Sequence, residues 1–336
     1  MVRLLIIAAV LSYALPGYAG VNSKEVGAVL IFPEYKATNP GEGQAYSLVE
    51  TYVSVTNDRS VPVRAHFAIV GGTSCAECSF DLDLTGFQTK RITFSRERRL
   101  GIWMTVLRDT SSHSETGEPS IITACSERMG FIVVTVEQPG SLPPVTLGAN
   151  YLHGDAVVTD LGIVSSWQVG AISVQGVGVN DGNRELAFNN VEYASFPSIV
   201  TANFWSPGES VDTRLVLFNV DFRVGSTPPV NQCHLNFVNA EETVFNHSFT
   251  FGCWMDRRLP DIAPGFYEDI LGTANGFLWV KCDAGTHGAL VTRVDSDTYR
   301  SEHADTMFQS MTAAQSAVLE LTPSLGGAAH APGDTQ

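Results

Sequence analysis

The sequence predicts an all-β protein made of two tandem, internally related antiparallel β-sandwich (Ig-like) domains with a connecting β-hairpin insertion. Three observations carry that prediction. Short apolar segments alternate inward and outward residues with a period of two. Gly, Pro, Asn and Asp separate them at the spacing of sandwiches and barrels. The order of segments in the first half recurs in the second. Of 336 residues, 44% are apolar and 16% charged, which excludes collagen, coiled coil and bulk disorder. At roughly 100–200 residues per domain the length fits two.

The N-terminus sets the expected compartment. Arg3 gives a positive start, Leu4 to Leu11 form an apolar run of eight, Pro16 and Gly17 interrupt it, and Gly17-Tyr18-Ala19 places small residues at the cleavage-determining positions. Residues 1–19 therefore read as a signal peptide. The run is far short of the roughly 20 residues that span a bilayer, and residues 322–336, rich in Gly, Ala and Pro, read as a disordered tail without an anchor signal. The expectation is a secreted, periplasmic or cell-surface protein with no membrane span. Removing residues 1–19 takes away one Arg from 20 basic side chains and none of the 35 acidic ones, which moves the formal charge from -15 to -16. Such a field disfavours nucleic acid as a partner.

Val61 to Val70 alternates Val61, Val63, Ala65, Phe67 and Ile69 against Arg64 and His66, the pattern of a half-buried strand. Ser79 to Thr85 repeats it, and Thr85-Gly86-Phe87-Gln88 turns the chain into Lys90 to Ser95. Further strands are expected at 26–32, 49–56, 101–107, 131–137, 156–160, 171–174, 215–220, 235–238, 244–251, 277–281 and 289–294. One helix is expected, over Asp305 to Leu321, where Met307, Met311, Ala314 and Val318 share a face.

The internal repeat aligns three segments. Tyr52-Val-Ser-Val-Thr-Asn57 resembles Leu215-Val-Leu-Phe-Asn219, each a strand ending on Asn. Cys78-Ser-Phe-Asp-Leu82 opens a hairpin returning to Phe94, and Cys233-His-Leu-Asn-Phe237 one returning to Phe251. Gly130-Phe-Ile-Val-Val134 resembles Gly276-Phe-Leu-Trp-Val280. The domains expected on this basis are 20–147 and 195–321, with 148–194 as a connecting β segment.

Six cysteines, at 75, 78, 125, 233, 253 and 282, fall three to each half. In an exported chain they are disulfide candidates. With three per half, either one bond joins the halves or each half keeps a thiol. Cys78 with Cys125, and Cys233 with Cys253 or Cys282, are the pairings favoured here. Cys75-Ala-Glu-Cys78 has redox spacing but leads into a strand, without the helix such chemistry uses. No second pair completes a zinc motif, and no haem-attachment motif occurs.

Nucleophile elbow, zinc-protease helix and phosphate loop motifs are all missing from the sequence. No catalytic, cofactor or metal residue is therefore assigned. His66, His153, His234, His247 and His287 read as ordinary strand or turn residues. Asn180 to Glu185 and Asp295 to Glu302 are acidic loops without the calcium-loop spacing. Asn246-His-Ser248 is a glycosylation sequon. A basic run, Lys90, Arg91, Arg96, Arg98 and Arg99, suits an anionic glycan, an acidic partner or a charged sheet edge. Trp205 and Trp254, near strand ends, are candidate partner contacts, while Trp103 and Trp279 belong to the core. The resulting expectation is a non-catalytic structural or binding component, engaging a protein partner, itself or a glycan. The alternatives are an exported hydrolase using Asp155, Asp160 or Glu192, and a calcium-dependent adhesin.

Overall fold

The computed structural model describes residues 21–22, 25–39, 48–111, 120–137, 148–162, 165–178, 185–196, 199–205, 211–219, 230–239, 241–266, 271, 275–282, 289–295, 302–305 and 317–320. Residues 1–19, expected to be a signal peptide, residues 322–336, expected to be a tail, and most of both acidic loops lie outside them. In chain order the strands of the first half are β1 (Val21–Asn22), β2 (Val29–Lys36), β3 (Val49–Asn57), β4 (Val63–Gly71), β5 (Glu77–Leu84), β6 (Thr89–Arg99), β7 (Ile102–Asp109), β8 (Ser120–Cys125), β9 (Met129–Glu137), β10 (Leu152–Asp160), β11 (Ser165–Gly170) and β12 (Ile172–Val174). There follow β13 (Glu185–Phe188), β14 (Ile199–Trp205), β15 (Val211–Phe218), β16 (Asn231–Asn239), β17 (Val244–Phe251), β18 (Trp254–Arg258), a one-turn helix α1 (Leu259–Ile262), β19 (Asn275–Cys282), β20 (Ala289–Asp295), β21 (Glu302–Asp305) and β22 (Ala317–Glu320).

The chain is all-β. One sheet has the order β1-β12-β2-β9-β4-β5 and a second, of ten strands, the order β18-β15-β20-β21-β11-β10-β3-β6-β7-β8; smaller sheets run β14-β19-β16-β17 and β13-β22. The described pairings are antiparallel except β11 with β21. The principal core lies between the six-stranded sheet and the β10-β3-β6-β7 part of the ten-stranded one. Phe32, Phe67, Ile69, Ile132 and Val134 meet Val53, Val55, Ile92, Phe94 and Val158 there. Phe67 stacks on Phe80 with ring centroids 4.7 Å apart. Each fully buried side chain of this size contributes roughly 1.5–3 kcal/mol by leaving water.

The reverse face of the six-stranded sheet is covered too. Val29, Ile31, Ala68, Val70, Phe131 and Val133 pack there against Leu186, Phe188, Tyr193, Phe196 and Phe218. This explains why β2 and β9 read as unbroken apolar runs. It also corrects the sequence reading of β4, whose expected outward face is buried: His66 is only 2% exposed. A third core, built from Leu215, Leu217, Leu235, Phe237, Phe251, Phe266, Leu278 and Val280, belongs to the second half alone.

Two further expectations are corrected. β5 and β6 do not form a hairpin, because β5 pairs with β4 and β6 with β3. The Thr85–Gln88 turn instead carries the chain from one sheet to the other. β16 and β17 do form the hairpin expected to end at Phe251. The helix expected from Asp305 is not found where the chain is described. Asp305 ends β21, and Ala317–Glu320 pairs with Glu185–Phe188. Ladder hydrogen bonds override a weak helical stripe at those four residues; 306–316 lie outside the description.

The 148–194 segment supplies the β10–β11 hairpin. β10 also pairs with β3, and β12 with β2, so these strands extend both sheets of the first half. The six cysteines form three pairs, Cys78 with Cys125, Cys233 with Cys282 and Cys75 with Cys253. The last joins the halves.

That joint is also packed and charged. Pro33 sits where the β2–β9 register shifts between Phe32 and Tyr35, as a residue without an N–H must in an interior strand. The carbonyl of Pro33 accepts a 2.8 Å bond from the Trp254 indole N–H. A Cβ on Gly72 would lie 2.7 Å from the same indole, so only glycine leaves room for the ring. Beside it Lys36 Nζ pairs with Glu34 and, at 2.5 Å, with Asp256. Arg214 reaches Asp256 through Nε and Nη2 at 2.8 and 2.5 Å, and Trp167 donates to Glu34 at 3.1 Å.

Candidate binding surface

The outer face of β10-β3-β6 presents a polar surface whose composition follows from strand alternation. While Val53, Val55, Ile92 and Ala156 point into the core, their neighbours Tyr52, Ser54, Arg91, Asp155 and Val157, with Thr89 and Thr110, line a shallow groove of about 290 Å³. Cross-strand register sets the neighbours: Ser54 stands opposite Asp155 and Arg91. Ser54 Oγ donates to Asp155, whose other oxygen accepts a 3.4 Å bond from Gln168 Nε2. Tyr52 is 42% exposed, and its hydroxyl donates to Glu50 at 2.6 Å. Partial burial, then that carboxylate, push the phenol up to about 12, so it remains a neutral donor at physiological pH. Arg91 is exposed and has no ion pair among the described residues. The groove thus offers hydroxyls, one guanidinium, one carboxylate and an aromatic ring: a surface for hydrogen bonding and stacking, not a buried acid–base site.

The structure scatters the other sequence candidates. β3 covers β6 only over residues 89–94, so Lys90 and Arg91 lie in the sheet interior, whereas Arg96, Arg98 and Arg99 follow on the stretch paired to β7 alone, and alternation splits the run between faces. Arg96 is 7% exposed and donates to the Ser126 carbonyl at 2.9 Å and to Thr105 Oγ1. Lys90 pairs with Asp109 at 2.6 Å. Burial raises the Asp109 pKa, but the Lys90 and Ser111 hydrogen bonds outweigh it and the net shift is downward. Arg98 bonds the Gly101 carbonyl at 3.3 Å near the hairpin tip, and Arg99 pairs with Glu97 at 3.5 Å. Leu100 at that tip is fully exposed, with positive φ at both Leu100 and Gly101, the backbone of a two-residue hairpin turn. Trp254 serves the joint described above. Trp205 ends β14 opposite Asn275, and its side chain lies outside the described residues.

The carboxylates considered for hydrolysis do not converge. Asp155 and Asp160 occupy positions of opposite parity on β10, hence opposite faces, and Asp160 accepts the Gly162 N–H at 2.8 Å. Glu192 bonds the Ala187 N–H in the loop after β13. The Asn180–Glu185 and Asp295–Glu302 loops lie largely outside the described residues, as does any structure of the calcium readings built on them. The sequence did not single out Tyr52 or Arg91 as a pair, because only the β3–β6 register makes them neighbours.

No known protein-family model matches the chain, and no curated protein matches it either.

Proposed function

We propose that the chain is an exported, non-catalytic structural or binding component whose two related β-sandwich domains present sheet faces and edges to an extracytoplasmic partner or assembly. Three disulfide pairs suit an oxidising compartment. Among the described residues no helix is long and apolar enough to cross a membrane. The relatedness of the halves is supported by strand order: β2-β9-β4-β5 in the first corresponds to β14-β19-β16-β17 in the second, with β10-β3-β6 matching β20-β15-β18. This correspondence keeps two of the three aligned sequence segments, β3 with β15 and β9 with β19, and replaces the third by β4 with β16. The domain limits proposed are 20–147 and 195–321, with the β10–β11 hairpin in the segment between.

The observation that carries the reading is the outer groove, shallow and lined by hydroxyls and paired side chains, on a scaffold locked by Cys75–Cys253. Rigid sheets that hold polar surfaces in place are suited to recognition. Its occupant is a protein partner, a second copy or a glycan. The test is affinity capture of the mature protein on its native cell surface, followed by glycan and protein identification, with Tyr52→Ala and Arg91→Ala as controls. Retention that both substitutions reduce at least tenfold supports the groove. Equal retention of the variants, or turnover of a glycan or peptide by the purified protein, overturns the proposal.

A further inference from the structure

The buried face of β4 carries a polar cluster that no sequence motif announces. His66 stands opposite Asp81 of β5 and Thr135 of β9, and Arg64, two residues earlier, stands opposite Glu137. Residues with this parity point to one face, which places His66, Asp81 and Glu137 together at the border of the second core. One ligand atom from each of the three lies within 4.8 Å of the others. His66 Nδ1 is 2.7 Å from Asp81 Oδ1. The other ring nitrogen, Nε2, is buried without a hydrogen-bond partner, although the residue is 2% exposed. A buried imidazole nitrogen left in this way lacks the interaction that would offset its desolvation. Arg64, the nearby cation, bonds Asp83 at 3.1 Å and also interacts electrostatically with Asp81 and Glu137. The Asp81 side chain is 20% exposed, which gives the cluster an opening to solvent.

We propose that His66, Asp81 and Glu137 bind one divalent first-row transition ion of the zinc type. One imidazole nitrogen and two carboxylates form a mixed nitrogen and oxygen set suited to such ions and less suited to calcium or magnesium, which take oxygen alone. Two carboxylates balance the charge of the ion. Three protein ligands leave a position for water. The ion ties β4, β5 and β9 together on the face of the six-stranded sheet opposite the Cys78–Cys125 pair, so its role is to fix the edge of that sheet.

The experiment uses the full mature chain, stripped with chelator and titrated with Zn²⁺ by calorimetry, with metal content measured after gel filtration and the metal environment by X-ray absorption. The expected result is one Zn²⁺ per chain in a shell containing a single imidazole nitrogen, and a rise in melting temperature with free Zn²⁺. His66→Gln and Glu137→Gln each weaken binding at least tenfold, whereas His153→Gln, at the exposed pair with Asp58, does not. Absence of saturable binding, a shell of oxygens alone or of several imidazoles, or undiminished binding in a folded His66→Gln or Glu137→Gln variant overturns the proposal. The absorption measurement on the unsubstituted protein decides the matter if neither variant folds.

Discussion

Lys36→Met tests the energetic logic of the joint between the halves. The ammonium of Lys36 serves two carboxylates, Glu34 and Asp256, whose side chains are 2% and 4% exposed, and it lies 5.3 Å from the Trp167 ring centroid. Methionine keeps much of the apolar volume and removes the charge. Asp256 retains two bonds from Arg214, but Glu34 is left with the neutral Trp167 N–H. One buried carboxylate then lacks a countercharge, a change that costs roughly 3–5 kcal/mol. Loss of the cation–π contact adds about 0.5–1 kcal/mol, and the added apolar contact of Met offsets a similar amount. A net loss of about 3–5 kcal/mol is expected, measured as a lower urea midpoint with disulfides intact and an unchanged slope. The double variant Lys36→Met with Glu34→Gln removes the stranded charge and should recover about 1–3 kcal/mol. A loss below about 1 kcal/mol for the single variant, or additive losses in the double, would refute the reasoning.

The other expectations concern the same framework. Cys75→Ser with Cys253→Ser opens a cross-link of sequence separation 178 and should lower stability by about 2–4 kcal/mol; an unchanged melting temperature would mean that packing alone holds the halves. Burial pushes the Asp256 carboxyl up, but Lys36 and Arg214 outweigh it and its pKa lies below the ordinary value. Its contribution is therefore present above the unfolded-state pKa of about 4 and is lost as pH falls through the lower folded value, so Asp256→Asn should flatten the acid limb of the stability profile, seen in urea midpoints across pH 2–6. Gly130, at φ +155°, would place a Cβ 2.0 Å from the Val70 carbonyl, whereas Gly101, at φ +83°, has open space around it. Gly130→Ala should cost at least about 2 kcal/mol and Gly101→Ala about 1 kcal/mol; equal thermal shifts would contradict this distinction.

Alternation and turn residues made most strands of the first half legible, although β1, β8 and β11 were not expected. Val49–Asn57 buries every second residue, and that regularity is local. Half-burial was misjudged at β4, because the residues covering it, Leu186, Phe188 and Phe196, are more than a hundred positions away in the chain. The Thr85–Gln88 turn was correctly placed, but a turn sequence does not say whether the next strand pairs back or crosses to another sheet. The redox-spaced Cys75 and Cys78 share a segment and yet take partners in different halves.

By itself the sequence determined the all-β class, through residue patterns that act over a few neighbours, and the cysteine arithmetic that requires either a bond between halves or unpaired thiols. Tertiary structure decided which strands become neighbours, and with that the groove at Tyr52 and Arg91, the Lys36–Asp256 joint and the cluster at His66. Each depends on register across strands distant in the chain. A local pattern fixes which way a side chain points, but only the assembled sheets determine what it meets.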